Sequence, residues 1–149
     1  MRKRLDKKLY RVIDANFNRA KEGLRVCEDI FRFVYDQPGL TRRYKEIRHR
    51  LTATMVRLPL VEVLQARDAA RDVGRISAEV KFPRKDLDDL FYANSQRIKE
   101  SIRVLEEFAK LLDDHLARQL KELRYQVYEI EQKVVKKGKT VSHLRYGRS

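Results

Sequence analysis

Asn16, Arg19, Glu22, Arg25 and Glu28 stand three residues apart, and Asn94, Arg97, Glu100, Arg103 and Glu106 repeat the same types at the same interval. Guanidinium groups fork onto phosphate or carboxylate through paired N–H donors. Glutamates beside them fix those arginines, hold Mg²⁺ together with waters, or accept a proton. An asparagine amide offers a donor and an acceptor to the edge of a heterocycle. A third segment, Arg67-Asp68-x-x-Arg71-Asp72-Val73-Gly74, adds both charges, with Gly74 expected to permit unusual backbone geometry. The bland reading of that segment makes Asp68 and Asp72 backbone caps. The mixture of groups suits a phosphorylated small molecule better than a bare polyanion.

Residues three apart on an α-helix of 3.6 residues per turn shift by about 60° at each step, so each polar stripe winds off one face and across the helix surface. A solvated face laced with ion pairs of roughly 0.2–0.5 kcal/mol each needs only alternating charge. It gives no reason for Asn, Arg and Glu to hold fixed places in two copies. Three accounts of the match stay open: buried pairing at an internal symmetry axis, a polar cavity lined by both copies, and recent duplication.

The elements that carry the stripes follow from apolar spacing. Ile13, Phe17, Ala20, Leu24, Cys27, Phe31 and Val34 follow a 4-3-4-3-4-3 rhythm, the seam of an amphipathic helix, and Phe91, Ser95, Ile98, Ile102, Leu105, Ala109 and Leu112 repeat it 78 residues on. Gln37-Pro38-Gly39 is expected to end the first helix, and Thr41 to cap a second carrying Tyr44, Ile47, Leu51, Met55 and Leu58. Pro59 punctuates that helix, with residues 60–66 a shorter continuation. A last helix carries Leu116, Leu120, Leu123, Val127, Ile130 and Val134, and after Gly138 the chain reads as frayed or extended. The second helices also match, Lys45-Glu46-Ile47-Arg48-His49 against Lys121-Glu122-Leu123-Arg124-Tyr125, displaced by 76. The expected fold is all-α, an antiparallel bundle of two repeated helical hairpins with pseudo-two-fold symmetry. It forms one domain over 1–149: repeat one at about 10–60, a functional loop at about 67–86, repeat two at about 87–136 and a basic tail over 137–149.

Composition narrows the function classes. The 149 residues are too few for a (β/α)₈ barrel, and the lone cysteine excludes a disulfide framework and a Cys-rich zinc site. No run of 18 apolar residues exists, so no membrane span is expected and a cytoplasmic location is the default. The net charge of +13 sits at the ends: residues 1–11 hold six basic residues against one acidic, and residues 133–149 hold six against none. No aromatic-rich RNA-binding signature accompanies it, so nucleic acid is not the expected partner. Gly138-Lys139-Thr140 lacks the preceding glycine and strand of a phosphate-binding loop. His49, His115 and His143 show no metal-ligand spacing. Amphipathic seams serve equally within a monomer or across a homodimer, so oligomeric state stays open.

Taken together, IDANFNRAKEGLRVCEDIFRFV, KEIRHRL, RDAARDVG and YANSQRIKESIRVLEEFAKL resemble the helical domain that often precedes thiamine-phosphate synthase, over roughly residues 10–135. That family is understood as a hydroxymethylpyrimidine-phosphate kinase. The resemblance implies ATP- and Mg²⁺-dependent conversion of the pyrimidine monophosphate to its diphosphate, with thiamine-phosphate synthase as a pathway partner. Without the synthase barrel, a stand-alone form is expected. In that chemistry Arg19, Arg25, Arg97 and Arg103 are the expected phosphate ligands, with Arg48 and Arg67 as further candidates. Glu22, Glu100, Asp68 and Asp72 are the candidate catalytic carboxylates, with Glu22, Glu100 or Asp72 holding Mg²⁺ or orienting the arginines. Asn16 and Asn94 are candidates for recognising the pyrimidine or adenine. The competing expectations are a non-catalytic module that binds a phosphorylated metabolite, or one that binds RNA or a protein through its basic ends.

Overall fold

The structure, a computed structural model, describes residues 2–75 and 83–138, and it is all helical there. α1 spans Arg2–Asp29 and widens into a π-helical turn over Ile30–Val34. α2 spans Pro38–Met55, α3 Leu60–Gln65, α4 Leu87–Ala109 and α5 Asp114–Gly138. The four long helices form a ring in which α1 packs on α2 and α4, and α5 closes it against both. Contacts of Gly23 with Ile98 and of Phe31 with Phe91 show α1 and α4 running antiparallel.

The heptad-like seams meet inside this ring. Ile13, Leu24, Phe31, Tyr44, Leu51, Phe91, Ile98, Ile102, Leu105, Leu116 and Leu120 are all fully buried. Each such side chain withdraws enough apolar surface to contribute roughly 1.5–3 kcal/mol. Phe31 lies at the centre of an aromatic group, stacked on Tyr44 with ring centroids 5.6 Å apart and edge-on to Phe91 at 5.7 Å. At Gly23, the α1–α4 approach is so close that an added Cβ would stand 2.8 Å from Cγ1 of Ile98.

Two boundaries differ from the sequence expectation. Pro38-Gly39 begins α2 instead of separating it from α1, because proline's fixed φ and missing N–H suit the first helical position. Thr41 is therefore not the cap: it lies inside the first turn, and its hydroxyl donates to the carbonyl of Gln37 at 2.7 Å. The turn between α1 and α2 is made by Asp36, the non-glycine residue with a left-handed backbone, at φ 50°. Leu60–Gln65 does form the short helix expected after Pro59, and α4 starts at Leu87 with the Asp86 carboxylate accepting from the Asp89 N–H at 2.8 Å. The expected frayed tail after Gly138, the Lys139-Thr140 pair and part of the 67–86 loop lie outside the described residues.

The two hairpins match bond for bond where the stripes end. Arg48 Nε donates to Glu28 at 3.0 Å and Nη2 donates at 3.4 Å, while Arg124 makes the same two bonds to Glu106 at 2.8 and 3.4 Å. Glu28 and Arg48 are 20 residues apart and Glu106 and Arg124 are 18 apart, so the first connection carries two more residues. The π-helical turn at Ile30–Val34 lies in that longer connection, where a widened turn takes up extra chain without breaking the seam.

Candidate functional site

The chain after α2 builds a pocket that the repeat alone would not. Pro59 stops α2, and α3 turns back along the first half of α1, with Val63 and Ala66 buried. Ala66 places Arg67 over α1, where its Nε and Nη2 donate to the two oxygens of Asp14 at 2.7 Å each. This fork is fixed from beneath, because Asp14 is buried while Arg67 remains half exposed. The Asp14 carboxylate, by hydrogen bonding first and then by charge, raises the Arg67 pKa, so the guanidinium is held cationic.

Around that fork lies an open cavity of about 430 Å³ between α1 and the 67–72 loop. From α1 it receives Lys8, Arg11, Asn16 and Arg19, and from the loop Arg67, Asp68 and Asp72. Positions 8, 11, 15 and 19 recur at helical spacing, so one face of α1 presents three cations along the cavity. Asn16 donates to the carbonyl of Val12 at 2.9 Å and accepts from Arg19 at 3.3 Å, which aims the arginine along the helix. Asp68 accepts from the Arg71 N–H at 3.2 Å and Asp72 from the Gly74 N–H at 3.0 Å. Both aspartates thus cap the loop and still line the cavity, each with acceptor capacity left over. Gly74 does not adopt the positive φ for which its freedom was expected to matter.

The cavity gathers five of the residues singled out in the sequence: Asn16, Arg19, Arg67, Asp68 and Asp72. The others lie elsewhere. Arg25 and Arg48 both bond Glu28, and Arg103 bonds Glu106, so these arginines serve ion pairs within each hairpin. The pairing is buried, as one reading required, but it joins the two helices of each hairpin and does not run across the repeat. Across the copies, exposed Glu22 and Arg97 approach to 3.7 Å, and Glu100 accepts from Gln96 at 3.1 Å. Asn94 repeats the bond of Asn16, donating to the carbonyl of Leu90 at 2.8 Å. No counterpart of the 67–72 loop covers it among the described residues, since α5 runs on to Gly138.

Three charged cavity residues were not singled out in advance: Lys8, Arg11 and Asp14. Lys8 and Arg11 were counted with a basic arm, although their spacing to Arg19 already placed all three on one helical face. Nothing local marks Asp14, whose role comes from a partner 53 positions away.

Mg²⁺ with a phosphorylated substrate commonly needs only one or two carboxylates, the remaining ligands being waters and phosphate oxygens. Asp68 and Asp72 fit that donor set. Glu22 and Glu100 do not line this cavity, and among the described residues no three carboxylate, histidine or cysteine side chains converge as a self-sufficient metal site. Cys27 is buried in the core, and burial pushes its thiol pKa far up, so it supplies no nucleophile. His49 and His115 are exposed and outside the cavity, and His143 lies outside the described residues.

Residues 11–133 match the ThiD2 family. The chain is 39% identical to a thiamine-phosphate synthase of Synechococcus sp. strain CC9605, covering 85% of this chain and 35% of that protein. It is 36% identical to the thiamine-phosphate synthase of Rhodopirellula baltica (80% and 32% covered) and 38% identical to that of Thermosynechococcus vestitus (84% and 35%). The chain thus spans about a third of the length of these relatives. No solved structure matches it. With the family match covering both hairpins and the loop between them, the chain belongs to the ThiD2 family.

Proposed function

We propose that this chain acts in thiamine biosynthesis as a hydroxymethylpyrimidine-phosphate kinase, transferring the γ-phosphoryl group of ATP to the phosphate of the pyrimidine monophosphate. An oxygen of the acceptor phosphate forms the new bond to the γ-phosphorus, the bond to the β-bridging oxygen breaks, and ADP leaves with those electrons. The observation that carries the reading is the cavity between α1 and the 67–72 loop, where three cations and the fixed guanidinium fork of Arg67 surround two loop-capping carboxylates with acceptor capacity to spare. Family membership and relatives named thiamine-phosphate synthase support the pathway.

Phosphoryl transfer asks a protein mainly for positioning and for compensation of negative charge. Arg67, held in place by Asp14, and Arg19, aimed by Asn16, grip the acceptor phosphate. Lys8 and Arg11 lie further towards the start of α1, within about 17 Å of Arg19 at 1.5 Å rise per residue, and neutralise the donor phosphates. Asp68 and Asp72 would hold Mg²⁺, which when bound would compensate negative charge on the phosphates.

Asp14→Asn tests the arrangement because it keeps the side-chain shape and removes the charge that fixes Arg67. With the fold retained, kcat/KM for the pyrimidine phosphate should fall by at least about tenfold, or about 1.4 kcal/mol of transition-state stabilisation. Unchanged turnover in a folded Asp14→Asn variant would remove this cavity from the reaction.

A further inference from the structure

We propose a second anion site at the opposite end of the bundle, a cleft between the start of α2 and the end of α5 that takes a chain of two or more linked phosphates. Arg42 and Arg43 of α2 face Lys133 and Lys136 of α5 across a cavity of about 590 Å³, a volume within the range of small-molecule sites. Among the described residues Glu46 is the one acid in its lining, leaving a local net charge of +3.

Like Lys8, Arg11 and Arg19 of the α1 cavity, and unlike the arginines drawn into ion pairs, the cleft cations are left without carboxylates among the described residues. Arg25, Arg48, Arg57, Arg67, Arg97, Arg103 and Arg124 each meet a carboxylate within 4 Å. None of the four cleft cations has a carboxylate partner among the described residues, although Arg43 is partly buried and Glu46 stands one turn away. Four like charges drawn into one concavity repel, and Glu46 offsets only one of them. A single terminal phosphate brings roughly −1.5 to −2 charges near neutral pH, short of the cleft's +3, so a linked pair balances the cleft where one does not. Among the described residues the lining contains no exposed aromatic ring on which a base could stack, which favours a compact oligophosphate over a nucleic-acid strand.

This cleft is separate from the α1 cavity. The neighbouring surface at the start of α2 adjoins α1 near Arg32, about 24 Å along the helix from Asn16. The proposal therefore stands or falls without the kinase reading.

The test is backbone-amide NMR of the whole chain titrated with inorganic tripolyphosphate, pyrophosphate and monophosphate. Tripolyphosphate should shift the amides of residues 39–46 and 133–136 saturably, with monophosphate at least about tenfold weaker. In the Arg42→Glu/Lys133→Glu variant, changed only at exposed positions, affinity at those amides should fall at least about tenfold with the remaining spectrum preserved. Shifts confined to residues 8–19 and 67–72, equal affinity for one and three phosphates, or an unaffected variant would each overturn the site. Tighter binding of a single-stranded RNA oligomer through the same residues would overturn the ligand class.

Discussion

Replacing Glu28 by glutamine keeps its shape and deletes one charge at the point where α1 and α2 are joined. Glu28 is 1% exposed and accepts from Arg48, itself 15% exposed, at 3.0 and 3.4 Å. Arg25 adds a contact at 3.3 Å but is 53% exposed and can be solvated on its own. Breaking a fully buried pair costs roughly 3–5 kcal/mol, because a charge is left without compensation. Partial exposure of Arg48 and the remaining acceptor of the amide reduce this to about 2–3 kcal/mol. For a domain of this size that corresponds to a fall in Tm of roughly 5–10 °C. Glu22→Gln, at 68% exposure and 3.7 Å from Arg97, serves as the control and should cost less than about 0.5 kcal/mol. Urea unfolding followed by circular dichroism measures both, and Glu106→Gln in the second hairpin should match Glu28→Gln. The double variant Glu28→Gln/Arg48→Met should recover part of the loss, since no buried charge then remains unpaired. If Glu28→Gln is no more destabilising than Glu22→Gln, the stripe is a solvated face and this account of it fails.

Gly23→Ala should destabilise by about 1–2 kcal/mol in the same assay, because overpacking against Ile98 and the Asn94 carbonyl, 2.8 and 3.2 Å from the new Cβ, outweighs the gain in helix propensity. Among the described residues the buried Tyr44 hydroxyl has no hydrogen-bond partner, so Tyr44→Phe should leave stability unchanged or raise it by about 1 kcal/mol, and a loss of about 1 kcal/mol or more would contradict this. Asp113 accepts from Arg57 at 2.9 Å and from two N–H groups at the start of α5, and these hold its pKa below the ordinary carboxylate range. Its contribution is therefore present above the unfolded pKa of about 3.9 and is lost as pH falls through the lower folded value. Arg57→Ala should flatten the acid limb of a stability–pH curve below about pH 4 and lower stability at pH 7, where an acid limb identical to the parent's would contradict the assignment.

Helix placement was legible because the 4-3 seams of Ile13 to Val34 and Phe91 to Leu112 report which face each helix buries. The boundary at Pro38 was misread because proline both stops one helix and starts another, and only the turn at Asp36 decides between them. The polar stripe was legible as a repeat but not as a site. Glu28 and Glu106 turned inward to arginines 20 and 18 residues away, a choice set by the packing of α2 and α5. The cavity was half legible. Asn16, Arg19, Arg67, Asp68 and Asp72 carried recognisable chemistry, whereas Asp14 reads as an ordinary helical acid until α3 folds the chain back onto it.

The most direct test of the proposed reaction is a turnover assay with hydroxymethylpyrimidine phosphate, ATP and Mg²⁺, with the product identified by mass. The parent chain should form the diphosphate, and folded Arg19→Ala and Arg67→Ala variants should each lose about a hundredfold or more in kcat/KM. Full turnover in both variants, or a loss confined to Arg25→Ala and Arg103→Ala, would contradict the placement of the reaction between α1 and the 67–72 loop.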